Sequence, residues 1–182
     1  MSIWSSSPLL FVSTALLLVF VLLSAVDGIY LHLIRYRLHA QPSSWREHLW
    51  HTGRAILFTP ILLLVFVEQT GGALLYAGLA VVALDQGLEL LDLLDENESR
   101  APMGGLSTLE YVLHVVITTF RTGALALALA ARPASAWSLD AVSTPLPEPL
   151  STVLWQLVPG AVIIAAVHVW LAWKHAPRPV PV

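Results

Sequence analysis

Five long apolar runs, separated by short polar or Gly- and Pro-rich stretches, organise this chain. They cover 8–36, 44–68, 72–96, 107–131 and 149–174. A helix needs roughly 20 mostly apolar residues to cross the hydrocarbon of a bilayer, and each run is long enough. The breaks are equally clear. His39 to Ser43 is polar and turn-forming, and Gly71-Gly72 suits a tight turn. Asn97 to Gly105 is charged and then Pro- and Gly-rich, while Arg132 to Pro149 carries Pro133, Pro145, Pro147 and Pro149. The pattern predicts an all-α integral membrane protein: a five-transmembrane-helix bundle forming one membrane domain over 1–182. Pro60 and Pro159 fall inside spans and are expected to kink them.

Composition agrees. The chain is 57% hydrophobic and 12% charged, where a soluble domain carries about a quarter charged residues. No Lys or Arg precedes the first run and that run is long, so it is expected to be a retained span and not a cleaved signal. The net charge of −3 offers no footprint for nucleic acid. Cysteine is absent, which excludes disulfides, thiolate metal sites and cysteine nucleophiles. Arg35, Arg37, Arg46, Arg100, Lys174 and Arg178 fall on one side of a five-span arrangement, with Arg132 alone near the other. The excess of basic residues in cytoplasmic loops then puts the N-terminus outside and the C-terminus in the cytoplasm of an inner-membrane protein. Tryptophans 4, 45, 50, 137, 155, 170 and 173 lie near span ends, as interfacial anchors do. Asp95 to Glu98 is expected to be a solvated loop.

Ionisable residues inside the spans change this outline. A charge in hydrocarbon costs several kcal/mol unless it is paired or bound to metal. Yet span 1 holds Asp27, Tyr30 and His32, and span 2 holds Glu47, His48, His51 and Arg54. Span 3 holds Asp85, Glu89 and Asp92, span 4 holds Glu110, His114 and Arg121, and span 5 holds His168. At a rise of about 1.5 Å per residue, Asp27, His51, Glu89, His114 and His168 lie roughly 9–14 Å from the cytoplasmic ends. The outer half of each span is almost purely apolar. Helical phase groups Glu47, His51 and Arg54 on one stripe, Asp85, Glu89, Asp92 and Glu96 on another, and Glu110 and His114 on a third. On an α-helical wheel His32 falls off the Asp27 face, and His48 falls off the Glu47 face.

The chain also repeats itself. Span 2 opens with Ser44, Glu47 and His51, and span 4 with Ser107, Glu110 and His114, both in the spacing S-x-x-E-x-x-x-H. A Thr-Gly pair follows in each, at Thr52-Gly53 and Thr122-Gly123. The S-x-x-E part is a capping box, so capping alone is the plain structural account of each glutamate. Asp27 precedes Glu47 and Glu89 precedes Glu110 by nearly equal intervals. Spans 1–4 are therefore expected to form two parallel two-helix repeats.

Asp27, Glu47, His51, Glu89, Glu110 and His114 together run carboxylate, Glu/His, carboxylate, Glu/His. This order resembles the ligand order of ferritin-like di-iron carboxylate four-helix bundles, although the pair here is Glu-x-x-x-His and helix 1 offers Asp. The resemblance implies two divalent metal ions on those six ligands, iron first and then zinc or manganese. His32, Asp85, Asp92 and His168 would be supporting groups or extra ligands. Tyr30, Arg54 and Arg121 would be the catalytic candidates, with Tyr111 a second tyrosine near the site. The expected function is a membrane oxidoreductase acting on a lipophilic substrate such as a lipid, quinone or hydrocarbon, with a redox partner. A zinc or manganese hydrolase of a lipid-like ester or phosphate is one alternative. Metal or proton transport and bis-His haem binding by His51 and His114 are others. A buried salt-bridge network is the remaining account, opposed by the excess of acids over Arg54 and Arg121.

Overall fold

A computed structural model of the chain describes residues 8–176; Trp4 and Arg178 lie outside the described residues. Helix α1 spans Pro8–Ala25 and continues without a break into a π-helical segment, Val26–Arg35. Arg37 then takes a left-handed conformation (φ 52°), and two 3₁₀ turns, Leu38–Ala40 and Pro42–Ser44, reverse the chain. Helix α2 spans Trp45–Ile61 and passes into a second π segment, Leu62–Val67. Helix α3 spans Gly72–Arg100 and α4 spans Thr108–Ala130. The last span consists of α5, Leu150–Trp155, and α6, Leu157–Lys174. Five helical stretches are long and apolar enough to cross a membrane.

The two prolines act differently. Pro60 sits inside α2, and the π winding begins two residues after it. A proline there removes one backbone donor and crowds the preceding turn. Pro159 occupies the first turn of α6, because the helix restarts after Gln156. First-turn N–H groups have no helical partner, so the ring costs nothing.

Packing follows from the apolar stripes. Helix α1 lies along α4, while α2 lies along α3 and α6. Exchanging the first two helices for the next two maps the α1–α4 pairing onto α3–α2. Small residues allow the close approaches, as is usual between membrane helices. A Cβ added at Gly123 would stand 3.1 Å from Leu16 of α1, and one at Gly78 would stand 3.2 Å from Leu64. Ser13 donates to the Ala124 carbonyl at 2.7 Å across the α1–α4 contact. Leu17, Phe20, Ile61, Leu62, Val65, Phe66, Ile117, Leu125 and Leu154 form the buried apolar core. Apart from Ile117, which sits between His114 and Arg121 on α4, these residues fill the half of the bundle away from the ionisable layer.

At that far end, β1 (Glu68–Gln69) pairs antiparallel with β2 (Thr144–Pro145), Glu68 opposite Pro145. Gly72 has φ 59°, and a Cβ on it would meet the Leu139 and Ala141 carbonyls at 2.6 and 2.7 Å. Only glycine fits there. Arg132 is buried, and burial lowers its pKa. It donates to the carbonyls of Val65 (2.8 Å), Thr70 (2.9 Å) and Glu68 (3.1 Å). These are carbonyls that the end of the second span leaves without helical partners. Arg132→Met would strand them; each unmet buried acceptor costs about 1–3 kcal/mol. Thermal unfolding in detergent should show a clear drop in midpoint for Arg132→Met and partial recovery for Arg132→Lys. An unchanged midpoint in Arg132→Met would show that water replaces the guanidinium.

Candidate metal centre

The π segment of span 1 sets the site. In an α-helix, residues five apart point about 140° away from each other. In π winding the backbone bonds run i→i+5, so residues five apart stack on one face. Asp27 and His32 are five apart and lie within Val26–Arg35. They therefore meet: His32 Nε2 is 3.5 Å from Asp27 Oδ1, and both residues are buried. The expectation that His32 lies off the Asp27 face assumed α winding and is corrected here. No periodicity in the sequence announces the change of winding.

Three other helices add to this pair. From α4, His114 points Nε2 at Asp27 Oδ1 (3.1 Å), with Nδ1 2.7 Å from Glu96 Oε1 of α3. From α2, His51 Nε2 lies 3.5 Å from Glu47 Oε1 one turn earlier and 3.4 Å from Asp92 Oδ1 of α3. The His32 ring is 4.5 Å from the His51 ring and 5.7 Å from the His114 ring, centre to centre. Two ligand sets result, Asp27/His32/His114 and His32/Glu47/His51, each with its ligand atoms within 4.8 Å of one another. Each is two histidines and one carboxylate, and they share His32. Either group could hold a metal ion.

Arg100 lies beside them and is wholly buried. It donates to Glu47 Oε2 (2.6 Å) and Glu110 Oε1 (3.1 Å), and its Nη2 is 3.3 Å from His32 Nε2. The Ser99 hydroxyl also donates to Glu47. From sequence, Arg100 counts only as a loop cation and Glu96 as part of a solvated loop. Helix α3 instead continues to Arg100, with Glu96 buried. The signal was present: 85, 89, 92, 96 and 100 keep one helical stripe. Asn97 and Glu98 are solvent-exposed as expected, though on the helix, and Asp95 pairs with exposed Arg46 while accepting from the Trp50 indole at 2.7 Å.

A second ionic layer lies deeper. Arg121 pairs with Asp85 and Glu89. Arg54 reaches Asp85, Glu89 and Asp92 at 3.4–3.6 Å. Thr118 donates to Glu89 at 2.8 Å.

The six residues of the di-iron pattern are thus divided. Asp27, Glu47, His51 and His114 converge around His32. Glu89 belongs to the arginine layer. Glu110 is split between Arg100 and a complete capping box with Ser107. Ser44 forms no such cap; its hydroxyl faces the Ser99 carbonyl at 3.4 Å. Tyr30 and Tyr111 are more than half exposed on the outside of the bundle. His168 is buried against His48, with ring centres 5.2 Å apart.

Charge tests whether a cation fits. Asp27, Glu47, Asp85, Glu89, Asp92, Glu96 and Glu110 make seven carboxylates, against the guanidinium groups of Arg54, Arg100 and Arg121. Four negative charges remain, beside three imidazoles. Arg54 and Arg121 account for the deeper layer and Arg100 for Glu47 and Glu110, which leaves Asp27 and Glu96 facing imidazoles. Nitrogen and oxygen donors in these proportions suit a divalent transition metal.

Fold and site together define a helical bundle with five helices of membrane-spanning length and a polar layer whose His, Asp and Glu groups could hold a metal ion. Compared with protein-family models, curated proteins and solved structures, the chain matches none.

The Arg100 arrangement predicts a graded loss of stability. Removing one member of a buried ion-paired group costs about 3–5 kcal/mol, because its partners stay buried and charged. Arg100→Met should therefore lower the unfolding midpoint sharply, whereas Arg46→Ala at the exposed pair should leave it near wild type. Equal effects in the two variants would refute the buried clamp.

Proposed function

We propose that this protein is a membrane-embedded metalloprotein with redox activity toward a lipophilic substrate. One observation supports it most directly: two sets of two histidines and one carboxylate share His32 inside a membrane-spanning bundle. Such a set with open positions is the ligand type of non-haem iron oxygenases. The Asp27, His32 and His114 set would hold the ion, with Glu47 and His51 beside it. Glu96 behind His114 and Asp92 behind His51 would orient the rings, as outer carboxylates do for metal-bound imidazoles. Because Glu89 and Glu110 are held by arginines and His32 serves both sets, we take the centre to hold one ion, with iron favoured over zinc or manganese. Iron bound there would supply one-electron chemistry.

The chain's own residues fit a substrate that arrives through the membrane. The side chains of His51 and His114 keep 16% and 24% exposure although they lie well inside their spans. Near them, α3 and α4 meet through polar side chains such as Arg121, Glu89 and Thr118. A lipid, quinone or hydrocarbon can approach this flank, and Arg54 is placed to hold a polar head. The ion itself has an aqueous approach: a cleft of about 260 Å³ at the bundle end is lined by Trp45, Arg46, Glu47, Asp95, Glu98 and Ser99, among others. Transport is less well supported, because the other half of the bundle is packed with the apolar core. Haem is also less well supported, because the His32 ring lies edge-on against its neighbours and leaves no slot between them.

The test is elemental analysis of protein purified in detergent. Wild type should carry a transition metal that His32→Leu and Asp27→Asn lose while keeping their helical signal. Reduction and O₂ should change the visible spectrum if the ion is iron. A metal-free wild type, or full metal in His32→Leu, would reject the centre. Orientation has its own measurement, because the chain lacks cysteine. A single cysteine introduced as Ser135→Cys should react with an impermeant thiol reagent added outside intact cells. Gln41→Cys should react only after lysis, and the reverse pattern would invert the proposed topology.

A further inference from the structure

At the end of the bundle away from the ionisable layers, Arg132 is the one cation among the described residues. It is more than nine-tenths buried, and a buried charge is costly unless something pairs with it. The carbonyls of Val65, Glu68 and Thr70 take three of its N–H groups. A further N–H, at Nε, has no partner. No carboxylate pairs with the guanidinium among the described residues, and burial is the one cause of its lowered pKa. Its hydrogen bonds are therefore met in part, and its charge is met by nothing in the chain.

The same side chain lines a cleft of about 380 Å³, with Gln69, Ser135, Ser138, Asp140 and Thr144 on its walls. Asp140 is the one acid in that lining. The Ser138 hydroxyl donates to Asp140 and holds its carboxyl below the usual range, so it is ionised at neutral pH. Arg132 and Asp140 do not pair, and neither shifts the titration of the other. The cleft thus offers one cation and one anion held apart, with hydroxyl and amide groups on the same walls. Its shape is fixed by the chain itself, through the β1–β2 pairing and the seat of Gly72 against Leu139 and Ala141.

The surroundings identify the occupant. Tyr76, near the start of α3, donates its hydroxyl to the Trp137 carbonyl at 2.9 Å, and the two rings meet edge to face. Paired tyrosine and tryptophan at a span end mark the level of lipid headgroups. Ser135, Ala136 and Ser138 of the cleft flank Trp137, which puts the cleft at that level. On the same loop Leu139 and Val142 are 74% and 85% exposed. Apolar side chains held out at headgroup depth enter the acyl boundary. A ligand here therefore has a polar part for the cleft and an apolar part beside it. A simple anion would meet Asp140, and a simple cation would meet Arg132. A group carrying both charges satisfies the two walls together.

We infer that Arg132 and Asp140 are the two poles of a site for the phosphate–ammonium headgroup of a membrane phospholipid. The phosphate lies against the Arg132 guanidinium, the residue type best suited to it. The Gln69 amide and the Ser135 and Thr144 hydroxyls donate to the remaining phosphate oxygens. The ammonium lies against Asp140, and the acyl chains leave past Leu139 and Val142. On the orientation proposed above, this is a lipid of the outer leaflet. The site is separate from the metal centre, which lies in the other half of the bundle.

The test uses the full-length protein in an uncharged detergent without phosphate. One short-chain phosphatidylethanolamine should bind per chain, read by native mass spectrometry and by a rise in the unfolding midpoint. Short-chain phosphatidylglycerol keeps the phosphate and lacks the ammonium, so it should bind about fivefold more weakly. Asp140 is exposed, so Asp140→Asn should unfold at the wild-type midpoint and bind the two lipids alike. Arg132→Lys keeps the charge but not the fork, and should weaken both lipids. Glycerophosphoethanolamine, the same headgroup without chains, separates a membrane source from a soluble one: it should bind far more weakly than the lipid. Equal binding of that soluble compound would overturn the lipid assignment. No bound lipid, equal affinity for the two lipids in wild type, or a preference that survives Asp140→Asn would overturn the paired poles. Wild-type affinity for both lipids in Arg132→Lys would remove the phosphate from Arg132. None of these results bears on metal content, which His32→Leu tests independently.

Discussion

The structure depends on a single buried guanidinium. Arg100, at the last turn of α3, is gripped by Glu47 of α2 and Glu110 of α4, and it stands beside His32 of span 1. One side chain therefore fixes the relative depth of four spans. A carboxylate on its own in this layer would be driven to its neutral form or out toward water. With Arg100 in place, Glu47 can turn one oxygen to the cation and the other to His51. That division lets the same glutamate serve both the scaffold and the candidate centre.

The other arginines extend this logic. Arg121 and Arg54 bind Asp85, Glu89 and Asp92 one layer deeper. They cover the acids that face the apolar core and leave the histidine layer with an excess of negative charge. The same residue types thus do two jobs at two depths. Carboxylates facing arginines hold helices together, and carboxylates facing imidazoles offer ligands.

Much of this was legible in the sequence, and the parts that were not have physical reasons. The five helices followed from run length alone, because bilayer thickness imposes it. The convergence of Asp27, Glu47, His51 and His114 followed from helical depth and phase. Three features escaped. His32 was misplaced because wheel geometry presumes 3.6 residues per turn, and the π winding of Val26–Arg35 does not obey it. Arg100 was assigned to a loop because charge near a span end also marks orientation, though its phase matched the acidic stripe below it. Glu89 and Glu110 were grouped with the ligands because their depth is right. Depth cannot say whether a carboxylate faces a histidine or an arginine; only the rotation of α3 and α4 about their axes decides that.

The apolar half of the bundle has a consequence for energetics. Leu17, Phe20, Ile61, Leu62, Val65 and Phe66 form a dry plug above the ionic layers. On the proposed reading, electrons and protons exchanged at those layers would come and go through one aqueous compartment and one leaflet. Such turnover would move no net charge through the plug, so its rate should not feel the voltage dropped across that part of the membrane.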